Sequence, residues 1–348
     1  VHSRILALLC FVFALAVPSH GFARDEAVTV ETGSAQLAGT LSLPADRPRA
    51  AVVLVQGAGP HSRDQMISGA PMFKLLADGL ATQGIASVRI DNAGVGASTG
   101  ERVQHFRQRI PQIRAVLDML AARPELAGVP IGIIAHSEGT LVATEVWAER
   151  DGVIDFLVLL GAPGRQGRTV WIDQQANPAR FPGSDKARLT AIRATFAEIA
   201  DASIAGDREA IVQGADRLFA MVGLSAQEIA EVRDGFVDRM ASPEMQVFLA
   251  HDPAPAFAKV TDPVLAVWGT HDDLTEPSLN VPIFLAKRHD TGALTLAVLP
   301  REDHFFLRGE GLAPGKHEAG KMDLSSALVD LVAEWITAGG LSHSAASR

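Results

Sequence analysis

Apolar residues follow two rhythms along this chain. Over 27–44 they alternate with polar ones and are rich in β-branched types up to Pro44, which predicts two strands joined as a hairpin. Ala50–Val55 is apolar without a break, as in a strand covered on both faces of a parallel sheet. The spacing near 71–83 is helical, and 84–90 reads as the next strand. A helix follows at about 103–122, with Val103, Phe106, Ile110, Ile113, Val116 and Leu120 on one face, and Pro111 predicts a kink or a late start. A strand from Ile131, a helix over 138–149 and a strand at Phe156–Leu160 continue the alternation. That rhythm predicts an α/β chain with a doubly wound, mostly parallel sheet.

The alternation stops at residue 164. Up to about 250 no run reads as a strand, and three amphipathic helical patterns appear. One carries Leu189, Ile192, Phe196 and Ile199, and another Ile211, Leu218 and Phe219. The third carries Ile229, Val232, Phe236 and Met240, and Ser225 with Glu228 opens it as a capping box. Strands resume at 263–268 and Leu294–Leu299, and a last helix covers 324–338. The expected organisation is a core over 24–163 and 251–340, a helical insertion over 164–250, and a disordered tail at 341–348. Trp171, Phe181 and the phenylalanines of the insertion are expected mainly to pack its own interior.

Composition narrows the classes. Of the 348 residues 47% are apolar and 20% charged, which suits a large core and argues against disorder. A net charge of −9 without a basic tract excludes nucleic acid as a natural partner, because its phosphates would be repelled. Residues 1–23 read as a signal peptide: Arg4, an apolar stretch over 5–17 too short to span a bilayer, then Gly21-Phe22-Ala23 as a small-x-small cleavage site. The expected product is periplasmic or secreted, cut after Ala23 and without a stable membrane anchor. Cys10, the only cysteine, leaves with that leader, so no disulfide and no thiolate metal site is expected.

The chemistry concentrates at the end of the strand from Ile131. The run Ile131 to Ala135 is followed by His136-Ser137-Glu138-Gly139, and a helical pattern begins at once. A strand turning straight into a helix exposes its junction side chain at the C-terminal edge of the sheet. This resembles the nucleophile elbow G-x-S-x-G of the α/β-hydrolases, with Ala135 at the first glycine. A serine needs a base, and the base an orienting acid. In that superfamily they follow in the order Ser, Asp or Glu, His, each after a strand. Asp272 and Asp273 follow the strand at 263–268, and His304 follows Leu294–Leu299. The expected triad is Ser137, His304 and Asp272. Asp272 is preferred to Asp273 because it stands three residues after Gly269, the offset of the family's G-x-x-D turn. His136 is expected to be structural and Asp303 to be solvated or to form a turn. His271 beside two aspartates cannot encircle an ion, so no metal is expected.

Two amides would hold the oxyanion. The N–H of Glu138 opens a helix and is free. The second is assigned to Ala58, in Gln56-Gly57-Ala58-Gly59, by resemblance to the H-G-x-G loops of the superfamily, with Gln56 in the usual histidine's place. The turn Asp91 to Ser98 is similar to D-x-R-G-x-G-x-S, with Ala93 for the arginine. Further segments are SPEMQVFLAHDPAPAF, PVLAVWGTHDDLTEPSLN and LPREDHFF, and with the others they fall in the order of bacterial α/β-hydrolases of the H-G-S-G-P, G-H-S-E-G-G type. Thr140 replaces the second elbow glycine. The resemblance implies an α/β-hydrolase fold with a helical cap and a serine esterase acting on a small-molecule ester without a cofactor. Alternatives are a peptidase or amidase, with Glu228 or Glu231 binding an amine, a thioesterase, or an inactive binding protein.

Overall fold

The computed structural model describes residues 23–149, 154–287, 294–309, 311–313 and 315–338. The expected signal peptide, apart from Ala23, and the expected tail at 341–348 lie outside the described residues. Two strands, β1 (Arg24–Thr32) and β2 (Ala35–Leu43), pair antiparallel from Arg24–Leu43 to Thr32–Ala35. After β3 (Ala50–Val55) come a short ribbon of β4 (Met66–Ile67) and β5 (Ala70–Pro71), helix α1 (Met72–Thr82) and β6 (Ile85–Ile90). Then follow α2 (Ile110–Ala121), β7 (Ile131–His136), α3 (Gly139–Ala148) and β8 (Phe156–Leu160). Six helices succeed one another without a strand: α4 (Gly167–Gln175), α5 (Lys186–Ala205), α6 (Arg208–Val222), α7 (Ala226–Met240), α8 (Pro243–Ala250) and α9 (Ala254–Phe257). The chain ends with β9 (Val264–Gly269), α10 (Pro277–Lys287), β10 (Leu294–Leu299), a ribbon of β11 (Leu307–Gly309) and β12 (Met322–Leu324), and α11 (Ser326–Ala338).

Eight strands form one sheet in the order β1-β2-β6-β3-β7-β8-β9-β10. Only β2 runs against its neighbours; from β6 to β10 every pairing is parallel. Side chains of β3 divide strictly between the two faces, Ala51, Val53 and Val55 on one and Ala50, Val52 and Leu54 on the other. This is why the run carries no polar residue: helices cover both sides. A one-residue slip would exchange the two cores. The helices from α4 to α8 bury a third core of their own, in which Trp171 meets Phe196 edge-on at 5.5 Å and Phe219 meets Phe236 at 5.5 Å.

Strand order reverses beside β3: the chain goes from β3 to β6 on one side and returns to β7 on the other. In such sheets the crevice at the strands' carboxyl ends, where the order reverses, is open to ligands. Pro111 acts as a late start rather than a kink. A 3-10 turn at Phe106–Arg109 comes first, and the proline sits in the first turn of α2, where its missing N–H costs nothing. Helices α4 and α8 escaped the periodicity because α4 carries only three strongly apolar residues and α8 is a two-turn helix opened by Pro243.

Candidate active site

Ser137 sits where β7 passes into α3, with a left-handed φ of +53° that a serine adopts only under constraint. Its N–H donates to the Leu160 carbonyl at 2.8 Å and its own carbonyl accepts from Thr140 N–H at 2.9 Å. The Thr140 hydroxyl adds a second bond to that carbonyl at 2.6 Å, so the threonine that replaces an elbow glycine braces the turn. Two residues past the serine, a Cβ on Gly139 would stand 2.4 Å from the Gln56 carbonyl oxygen and 2.5 Å from that of Val55. The end of β3 therefore lies against the elbow, and only glycine admits it.

His304 and Asp272 meet directly. The His304 Nδ1 lies 2.9 Å from Asp272 Oδ2 and 3.0 Å from Oδ1, with both side chains buried. The carboxylate also accepts the N–H groups of Leu274 at 3.0 Å and Thr275 at 2.7 Å, and the Thr275 hydroxyl at 2.8 Å. Burial alone would raise the Asp272 pKa. The imidazole beside it and the Thr275 donors outweigh that and hold it below the ordinary carboxylate value. Asp273 is exposed on the other side of the turn. Serine and imidazole converge on the end of β8. Ser137 is bonded to Leu160, and a Cβ on the next residue, Gly161, would lie 2.9 Å from His304 Cε1. Among the described residues the Ser137 hydroxyl makes no hydrogen bond. It faces a cavity of about 390 Å³.

The loop after β3 is tied down from both sides. Gly57 N–H donates to Gln65 Oε1 at 2.8 Å, whereas the Ala58 and Glu138 amides have no acceptor among the described residues. Arg109, buried on α2's leading turn, donates to the carbonyls of Gln56 at 2.7 Å and Gly57 at 3.1 Å. Burial lowers this guanidinium to about 10, still charged at neutral pH. Gln56 fills the place of a histidine by donating to the Ile90 carbonyl at 2.5 Å. His136 links the two halves of the site, with Nδ1 2.9 Å from Gln65 Nε2 and Nε2 donating to the His304 carbonyl at 2.9 Å. Burial first, and the neighbouring His304 second, push it down to about 3, so it stays neutral.

Asp303 is buried rather than solvated, and it does form a turn, its Oδ1 accepting from Phe305 N–H at 2.9 Å and its carbonyl from Phe306 N–H at 3.4 Å; it also lies 2.5 Å from His317 Nε2, because the chain around 317 folds back over it. With Ala93 buried in the arginine's place, Asp91 takes its cation from Arg63 instead, at 2.7 Å. Glu228 closes the capping box of α7 with Ser225, and Glu231 is paired with Gln227; both are exposed and neither reaches the cavity, so neither can bind an amine there. Sequence reasoning missed Gln65, Arg109 and Thr275, whose roles depend on loops that only the fold brings together. His271 is exposed beside Thr270, and the described residues contain no group of three His, Cys, Asp or Glu able to hold a metal ion. No helix among them is long and apolar enough to cross a membrane.

The sequence profile of a family described as "Serine aminopeptidase, S33" matches residues 46–188. Esterase EstD of Thermotoga maritima is 23% identical over 308 residues, which are 86% of this chain and 65% of that esterase's length. An esterase of Pyrococcus furiosus superposes with a TM-score of 0.53 at 15% identity, over 80% of this chain and 83% of its own. The proline iminopeptidase of Mycobacterium smegmatis does so with a TM-score of 0.53 at 16%, over 91% and 100%. At such identities the two solved structures establish a shared fold.

Proposed function

We propose, the chain being a hydrolase of the α/β-hydrolase superfamily, that it cleaves carboxylic esters by two-step acyl transfer from Ser137. The observation that carries this reading is a strained serine open to a largely apolar cavity, beside a buried histidine already oriented by a carboxylate. Asp272 fixes Nδ1 of His304, which leaves Nε2 to take the serine proton as the hydroxyl attacks the ester carbonyl. The N–H groups of Ala58 and Glu138 stabilise the oxyanion. The alcohol departs with that proton, and water activated by the same imidazole releases the acid. Cap residues Trp171, Phe236 and Phe248 line the cavity and suit an apolar acyl chain. The leader at 1–23 belongs to the same proposal: the enzyme works outside the cytoplasm, and fractionation of cells making the full chain should recover it in the periplasm or medium.

Purified protein should hydrolyse p-nitrophenyl butyrate, and Ser137→Ala should abolish turnover while leaving the melting temperature within a few degrees. A fluorophosphonate probe should label the parent at Ser137 and not the variant. Retained turnover in Ser137→Ala would reject the assignment, and an unlabelled parent would point to a binding protein. Faster cleavage of aminoacyl naphthylamides than of p-nitrophenyl esters would favour amide chemistry.

A further inference from the structure

A second cavity of about 180 Å³ adjoins the first. Its walls are the segment around Arg102 and His105, the start of α2 at Arg109, and Ser242 with Glu244 where α8 begins. Glu138 and Glu244 border both cavities, whereas Ser137 borders only the larger. The division between the chambers is thus made by two carboxylates, one of them on the residue next to the nucleophile.

The chambers differ in chemistry. The larger one has Trp171, Phe236, Met240, Met245 and Phe248 among its walls, while the smaller one sets Arg102, His105, Glu138 and Glu244 beside a comparable apolar wall from Pro60, Val103 and Phe106. Glu138 stands out: only 7% of it is exposed, yet its carboxylate has no hydrogen bond and no ion pair among the described residues. Arg109 acts on it only through space, its two terminal nitrogens donating to Gly57 and Gln56 instead. A buried carboxyl left without a donor is costly, and one bordering a cavity can be satisfied by a guest. The walls also restrict the guest's charge. Arg102 and Arg109 oppose a cation, and Glu138 and Glu244 oppose an anion. A neutral group that donates to the carboxylates and accepts from Arg102 avoids both penalties, which describes hydroxyls.

We propose that the smaller chamber is the alcohol subsite and takes a hydroxyl-rich leaving group, a sugar or a polyol, while the larger chamber takes an apolar acyl chain. This rests on the ester-cleaving reading given above. Burial raises the Glu138 carboxyl to about 7 against the opposing pull of Arg109, so near neutrality it can give a hydrogen bond as well as accept one.

The test uses ester pairs that share the butyryl group and differ in hydroxylation. Methyl 6-O-butyryl-glucoside is set against cyclohexylmethyl butyrate for the sugar arm, and 1-butyrylglycerol against 2-methylbutyl butyrate for the polyol arm. The readout is the ratio of kcat/KM within each pair, which cancels any general loss of activity. The parent should favour the hydroxylated member at least tenfold on one arm, which identifies the source. Arg102→Ala and Glu244→Ala should each reduce that ratio at least threefold. A ratio below tenfold on both arms, or one reduced less than threefold by either variant, would overturn the subsite while ester hydrolysis itself stood. Absence of turnover for every ester, p-nitrophenyl butyrate included, would remove the parent reading and the subsite with it.

Discussion

At the scale of single residues the site depends on a few positions where no other side chain fits or acts. Gly139→Ala would drive a methyl into the backbone of Val55 and Gln56, neither of which can yield without moving β3. Overpacking of this kind costs about 1–3 kcal/mol. The variant should melt several degrees lower by calorimetry and lose most of the proposed esterase activity, since the displaced loop carries Ala58. Thr275→Val removes one hydroxyl donor from Asp272 and preserves the shape. A buried hydrogen bond is worth about 1–1.5 kcal/mol, so kcat should fall roughly tenfold with KM nearly unchanged. A purely structural role would instead lower the melting temperature and leave kcat alone. Ser137, Asp272 and His304 were legible as candidates because residue type and position after a strand are properties of the sequence. Thr275 was not. A threonine three residues beyond an aspartate marks nothing until the turn closes and brings its hydroxyl within 3.3 Å of His304 Nδ1 as well.

At the scale of elements, the crevice exists because β3 and β7 lie side by side while the chain reaches them from opposite directions. Unbroken apolar runs made those strands legible, since a strand covered on both faces has no polar position to disguise it. The brace on the loop after β3 was hidden. Arg109 lies far from Gln56 in sequence, on a 3-10 turn whose residues read simply as the polar start of a helix. Arg109→Met should leave the Gln56 and Gly57 carbonyls without their buried donors and let the loop drift. The expected result is a lower melting temperature and a loss in kcat of about 10²-fold, comparable to removing an oxyanion donor. Arg109→Lys should recover only part of this, because an ammonium cannot reproduce the planar fork that serves two neighbouring carbonyls. Equal rates for Met and parent, measured with p-nitrophenyl butyrate, would show that the loop holds its shape without the arginine.

For the whole molecule, the buried titratable groups set opposing pH dependences. Burial lowers His136 to about 3 and His251 to about 4, against 6.5 for the free side chain. Unfolding exposes both, and below 6.5 the unfolded chain binds protons that the folded one refuses. Their contribution is therefore present above 6.5 and is lost as the pH falls toward 4 and 3. Asp272, also lowered, adds to the loss at the acid end. Glu138 has the opposite sign. Its folded value is raised to about 7 from 4.5, so the folded chain holds the extra proton between those limits, and stability falls as the pH rises through that window. Between 4.5 and 6.5 two histidines outweigh one glutamate, while between 6.5 and 7 only the glutamate titrates. The melting temperature should thus climb from pH 4 to a maximum near 6.5–7. Glu138→Gln should raise it at pH 7 relative to the parent and change it little at pH 4.5, because only the charged form of the glutamate is penalised. Thermal melts of both proteins across pH 4 to 8 decide this: parallel curves would mean that the carboxyl next to Ser137 is solvated well enough to ionise freely.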